Sequence, residues 1–307
     1  MIFAGTLADL DWLSTLFGPS ASLSWSAGPL HSIAGAILIA VSISIAIRTY
    51  AKSRGVILTG MAWWLAPVCA ALLHVGMDTL LSSGVKLFWP ISAKRIALDW
   101  IPHFDLWILL FLVVGIFLPE LFRLVSDEIG AKSKKPRGQG GAIMAFVLIA
   151  AYIVLRGLLH GSATMALLER SYAGESPQRA AAFPDSISPF LWHGIVETES
   201  ALHSVQVPTG PRANFDPESA VHIHKPEPSA VLDAAQQTNA ARNFLAVARF
   251  PKATVQPDSE GFSVELRDVK YDALGQDSAA VFAQIHLSAQ GQITFAQLQW
   301  QNRPHKN

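Results

Sequence analysis

The first half of the chain alternates long apolar runs with short polar breaks; the second half changes period. Pro29–Ile47 is apolar and ends at Arg48, Lys52 and Arg54. Val56–Leu81 is apolar apart from His74 and Asp78. Phe104–Phe122 is nearly all Leu, Ile, Val, Phe and Trp after Asp105, and Ala142–Leu159 is the next such run. Each is close to the ~20 residues that cross about 30 Å of hydrocarbon, so the pattern predicts about four transmembrane helices. The first run gives the weakest signal, because it opens with His31-Ser32 and carries Ser42 and Ser44.

Beyond about Gly161 no apolar run is long enough to span. Phe190–Val196 and Ala201–Val207 read as short strands and Ser229–Val247 as a helix. Phe262–Val269, Ala279–Leu287 and Gln292–Trp300 alternate apolar and polar residues, the period of half-buried strands. Gly291 suits a hairpin turn between the last two. Ser133–Gly141 reads as a flexible basic loop and Gly174–Pro184 as a linker. The expected architecture is a mainly α-helical membrane domain over residues 1–160, a linker over 161–185, and a small soluble α+β domain over 186–307.

Composition agrees. Charged residues make up 15% of the 307, against roughly 25% in soluble domains, and the formal net charge is zero. Nothing in that balance points to nucleic acid. Cys69 is the only cysteine, so no intramolecular disulfide exists. Met1–Gly5 lacks the basic leading region of a signal peptide. Arg48, Lys52 and Arg54 lie in one inter-span loop, and Arg123, Lys132, Lys134, Lys135 and Arg137 in another. The positive-inside rule makes both cytoplasmic, which puts Ser82–His103 and the tail outside, although Lys86, Lys94 and Arg95 blur the bias.

That topology places the ionisable residues at one depth on one side. Asp9 and Asp11 precede the first span, His31 opens it, and His74 and Asp78 close the second. Asp99, His103 and Asp105 precede or open the third, and His160 closes the fourth. His74 and Asp78, four apart on a helix, share one face and can converge on one cation. Imidazoles and carboxylates are the ligand set of zinc, manganese or iron hydrolytic sites, and these seven Asp and His residues other than His103 and His160 would suffice for two metals. Each also has a plain reading. Asp11, Asp78 or Asp105 could cap backbone groups, Trp100 and Trp107 could anchor at the interface, and His222 and His224 could be solvent-exposed along a strand. Arg95 could hold a phosphate or carboxylate bidentately, or simply snorkel.

At these residues the chain resembles the YdjM-like, LexA-regulated family of membrane-bound metal-dependent hydrolases. The resemblance runs through Ala8-Asp9-Leu10-Asp11-Trp12, Gly28-Pro29-Leu30-His31-Ser32, His74-x-x-x-Asp78, Ser83-Gly84, Trp89-Pro90-Ile91-Ser92, Lys94-Arg95 and Leu98-Asp99-Trp100-Ile101-Pro102-His103-Phe104-Asp105. It covers roughly Ala4–Phe122, and Ser188-Pro189-Phe190-Leu191-Trp192 and Arg249-Phe250-Pro251 look like the tail of longer members. The resemblance implies an integral protein of the bacterial inner membrane with an extracytoplasmic tail. It implies a divalent metal, zinc favoured, held by Asp9, Asp11, His31, His74 and Asp78. Asp99 or Asp105 would act as general base and Arg95 would steady an anion while a phosphate or ester bond, in a membrane lipid or another substrate, is cleaved. Family members begin with a Thr-His pair on an additional N-terminal helix, whereas this sequence starts beside its Asp-x-Asp motif. The alternative reading is a non-catalytic membrane protein whose His/Asp cluster binds a structural ion or lipid headgroup and whose tail binds a partner.

Overall fold

The computed structural model describes residues 5–128, 139–274 and 281–300. The basic stretch Lys132–Arg137 and the first two positions of the strand expected at Ala279–Leu287 lie outside the described residues. A 3₁₀ segment, Leu7–Phe17, leads into a short helix α1 (Pro19–Trp25) and a 3₁₀ turn, Pro29–His31. Four longer helices follow: α2 (Ile33–Ser53), α3 (Ala62–Thr79), α4 (Leu106–Glu128) and α5 (Gln139–Leu168). The first begins after Pro29 because Ser32 caps it: its Oγ accepts from Gly35 N at 2.9 Å.

α2 packs on α3, and α4 on α5. The second pair meets through Gly115, Gly141 and Ala145. A Cβ at Gly141 would stand 1.9 Å from Gly115 O, so only glycine lets these backbones approach. Large apolar side chains such as Leu38, Ile45, Phe117, Phe146 and Leu158 point away from the protein. A contiguous apolar surface of that kind suits lipid and not water. Among the described residues, α2 and α5 are long and apolar enough to cross a membrane. A shorter apolar stretch, Leu106–Leu121, lies in α4, and α3 has 18 residues with His74 and Asp78 among them. Two of the four expected spans therefore meet the requirement by length and composition.

The 30 residues of α5 extend about 45 Å, more than the hydrocarbon needs. The excess continues into the C-terminal domain, where Ala163 and Leu167 pack with Tyr172, Trp192 and Val196. That domain holds two antiparallel four-stranded sheets. The first runs in the order β1 (Arg179–Pro184), β2 (Leu191–Glu197), β3 (Ala201–Pro208), β4 (Val221–His224). The second runs β5 (Pro251–Asp258), β6 (Gly261–Asp268), β7 (Val281–Ser288), β8 (Ile293–Trp300). Helices α6 (Ala230–Gln236) and α7 (Asn239–Leu245) cover the second sheet, with Leu232 and Phe244 packing against Val264 and Ile285. A short helix α8 (Val269–Leu274) follows β6.

Three details differ from the sequence reading. The expected linker holds the end of α5 and all of β1, because Ala181, Ala182 and Phe183 pair with β2 and are buried. The single helix expected at Ser229–Val247 is two, since Thr238 caps the second by accepting from Ala241 N. β5 was not expected; its Pro251 and Pro257 are tolerated because it is an edge strand.

The helical region and the C-terminal domain are tied by polar contacts. Arg156 of α5, with no exposed surface, donates from Nε to Trp100 O at 2.9 Å and from Nη1 to Pro189 O at 2.6 Å. Its guanidinium lies 4.3 Å from the Trp192 ring centroid. Trp107 Nε1 donates to Ile187 O at 3.0 Å, and Arg249 Nη1 pairs with Asp99 Oδ1 at 2.7 Å.

Candidate metal centre

Three separate elements carry the cluster. Asp9 and Asp11 sit on the Leu7–Phe17 segment, His31 on the Pro29–His31 turn, and His74 and Asp78 one helical turn apart on α3. The His31 turn is fixed by its sequence. Ser32 Oγ donates to Pro29 O at 2.7 Å while capping α2, and the turn folds so closely on α2 that a Cβ at Gly35 would stand 2.2 Å from Pro29 O. Gly35→Ala is therefore expected to displace His31 and lower metal retention without touching any candidate ligand. The check is metal content per folded protein beside Gly76→Ala, since a Cβ at Gly76 meets nothing within 4 Å.

His74 Nε2 lies 3.2 Å from Asp78 Oδ2 and 3.4 Å from Asp9 Oδ1. His31 Nε2 lies 3.3 Å from Asp78 Oδ2 and 3.6 Å from Asp9 Oδ1. Donors bound at ~2.0–2.1 Å to a tetrahedral centre stand about 3.3–3.4 Å apart, so these separations fit a small divalent cation. The ligand atoms of Asp9, His31 and His74 all fall within 4.8 Å of one another, and this trio could hold a metal ion. Asp78 adjoins both imidazoles.

Two further observations point the same way. His74 Nε2 and Asp78 Oδ2 are buried and make no hydrogen bond with any described residue. Buried polar atoms are rarely left so, and their mutual convergence is what a shared cation would satisfy. Second, Asp9, Asp11 and Asp78 form no ion pair with a lysine or arginine among the described residues, so three carboxylates surround two imidazoles. The field is visible at His31. Burial alone would push its pKa down, but Asp11, Asp78 and Asp9 together hold it above the ordinary imidazole value. Surroundings that favour a proton there favour a metal cation as well.

Asp11 stands apart from the converging set. Its Oδ2 lies 3.1 Å from His31 Nδ1, the opposite ring nitrogen, off the line a hydrogen bond needs, and it accepts from Ala27 N at 2.6 Å. That is the position of a carboxylate that orients an imidazole. The remaining predicted residues are engaged elsewhere. Asp99, 3% exposed, pairs with Arg249. Asp105 caps α4: Oδ1 accepts from Trp107 N and Ile108 N, and Oδ2 from Tyr152 Oη at 2.9 Å. Its plain reading as a cap is the one the geometry displays. Arg95 donates to Ser26 O at 2.8 Å and lines a cavity shared with residues of the C-terminal domain. His160 lies edge-on to Trp192, and His103 lines a cavity with Asp78 and Asp105. His222 and His224 are exposed on β4; His222 meets His203 at 2.8 Å between Nδ1 atoms, and among the described residues the pair does not belong to a group of three that could hold a metal.

Sequence reasoning missed Arg156 and Arg249. An arginine inside an apolar run is a signal in itself, and Arg156 sat within the run Ala142–Leu159. Arg249 lay in the family-like segment Arg249-Phe250-Pro251, but nothing in the sequence pointed to Asp99 as its partner.

Residues 1–163 match the family described as YdjM inner membrane protein. The match spans more than half the chain, and the chain belongs to that family. No curated protein and no solved structure matches it.

Proposed function

We propose that this YdjM-family inner membrane protein is a metal-dependent hydrolase that cleaves a phosphate or ester bond at the membrane surface. The observation that carries the reading is the asymmetry of the cluster: the Asp9 side chain is 55% exposed while that of His31 is 8% exposed. A structural ion is closed off by its ligands, whereas a hydrolytic one keeps an accessible side. His31, His74, Asp78 and Asp9 would hold the metal, zinc favoured, and Asp11 would orient His31. A divalent metal at such a site supplies Lewis acidity and makes bound water acidic enough to react near neutral pH. Asp9, at the open edge, is where substrate would enter.

The topology belongs to the same reading. All four long helices cross the membrane, Arg48, Lys52 and Arg54 lie in the cytoplasm, and the C-terminal domain lies outside. Reporter fusions at Gly55 and after Leu168 should report opposite compartments; the same compartment for both would remove this topology.

One observation favours a non-catalytic protein with a structural ion: Asp99 and Asp105, the carboxylates expected to serve as base, are both engaged. The discriminating experiment is turnover. Metal-loaded protein in detergent is assayed against aryl phosphate, phosphodiester and carboxylic ester probes and against lipid, beside His74→Ala. The hydrolase reading expects turnover to fall in the variant by more than the ~10–100-fold seen when a group supporting a metal is lost. Metal binding with equal background turnover in both would leave the structural-ion reading.

A further inference from the structure

Beyond the His/Asp cluster, the helical region and the C-terminal domain enclose a cavity of about 320 Å³ between them. Its walls include Ser26, Ser83 and Arg95 from one side and Lys270, Tyr271 and Trp300 from the other. That volume is within the range of small-molecule sites.

Among the described residues, Arg249 is the cavity cation with a carboxylate at ion-pair distance; Asp11 acts on Arg95 only from farther off. Arg95 donates to three carbonyl oxygens, of Ser26, Leu23 and Ser83, and meets no carboxylate within ion-pair distance among the described residues. Its Nε is buried with no partner at all. Lys270 is 6% exposed, and among the described residues its ammonium meets the Tyr271 ring, 4.6 Å to the centroid. Arg249 also lines the cavity but is paired with Asp99. The cavity's carboxylate, Asp268, accepts from the backbone N–H groups of Arg249, Phe250 and Lys270 at 2.8, 3.1 and 3.0 Å, and among the described residues is not ion-paired with Arg95 or Lys270. Buried Lys270 and half-buried Arg95 thus face one lining carboxylate that the backbone already satisfies. Buried charge without a partner is costly, and an anion between Arg95 and Lys270 would remove that cost. Neighbouring groups register the positive field. His103 is held below the ordinary imidazole pKa by burial and then by Lys270, and Lys86 is held down by burial and then by Arg95.

We infer that this cavity is an anion site for a phosphate group, clamped between Arg95 and Lys270, with the Ser26 and Ser83 segments and the Trp300 ring around the remainder of the molecule. The guanidinium supplies planar paired donors and the ammonium a point charge, the two ways in which proteins hold phosphate. Because its walls come from both halves of the chain, an occupant bridges them. The inference does not depend on the metal centre, and its test is run without metal.

Full-length protein in neutral detergent, with chelator present, is titrated calorimetrically with inorganic phosphate and with glycerol 3-phosphate. In parallel, protein from nanodiscs of phosphatidylglycerol or phosphatidylcholine is examined for retained lipid by native mass spectrometry. The wild type should bind a phosphate-bearing probe saturably, weakened at least 10-fold in Lys270→Gln and retained within about threefold in Lys270→Arg, since charge rather than shape is at stake. Binding of the free phosphates identifies a soluble ligand. Retention of phosphatidylglycerol alone, lost in Lys270→Gln, identifies a lipid headgroup. Equal affinity in the wild type and Lys270→Gln, equal loss in Lys270→Gln and Lys270→Arg, or no saturable binding of any probe would overturn the assignment.

Discussion

Arg156→Met is expected to loosen the C-terminal domain from the helical region. The arginine bridges the two, donating to Trp100 O within the helical region and to Pro189 O in the C-terminal domain, and it covers the Trp192 ring. Hydrogen bonds to a charged group contribute about 1.5–3 kcal/mol each, offset in part because methionine carries no buried charge to desolvate. A net loss of about 2–4 kcal/mol remains, since two part-buried carbonyls lose their donor. Hydrogen exchange should accelerate on the order of 100-fold around Ile187–Trp192, while the core of the second sheet, near Val264 and Ile285, keeps its protection. Unchanged exchange at Ile187–Trp192 would show that the docking does not run through Arg156.

The second large effect is at the cluster. His74→Ala and Asp78→Asn should each lower metal affinity by well over the 10–100-fold that losing a supporting group costs. Neither should unfold α3: alanine is the best helix former, and asparagine keeps the shape of aspartate. Asp258→Asn, on the exposed end of β5, should leave metal content unchanged. Equal occupancy in the wild type and both cluster variants would mean that His74 and Asp78 are not ligands.

Why was so much of the cluster legible in the sequence? Membrane topology converts chain position into depth. His31 and His74 fall at the ends of separate apolar runs, so the alternation of spans expected from the sequence would bring them to one level. What the runs could not give is which ring nitrogen faces which carboxylate. Asp9 and Asp11, two apart, look equivalent in sequence, and the Leu7–Phe17 segment sends them to opposite nitrogens of His31. Asp105 was open to either reading, because a carboxylate before an apolar run serves a helix cap as well as a metal.

The C-terminal strands were read where one face is solvated. β6 and β8 alternate; β1 does not, because Ala181, Ala182 and Phe183 are buried in succession, and a Pro- and Gly-flanked alanine run looks like a linker. The tail segments that resembled longer family members turn out to be docking contacts. Pro189 accepts from Arg156, and Arg249 reaches Asp99. Their partners lie 33 and 150 residues away, a pairing no local pattern encodes.

The central claim is that two imidazoles and neighbouring carboxylates share one metal. The most direct measurement is metal analysis of the purified chain joined to X-ray absorption at the edge of the bound element. The account predicts one divalent metal per chain, with a first shell containing two imidazoles and oxygen donors at ~2.0–2.2 Å. A chain that retains no metal after loading, or a shell without imidazole, would contradict it.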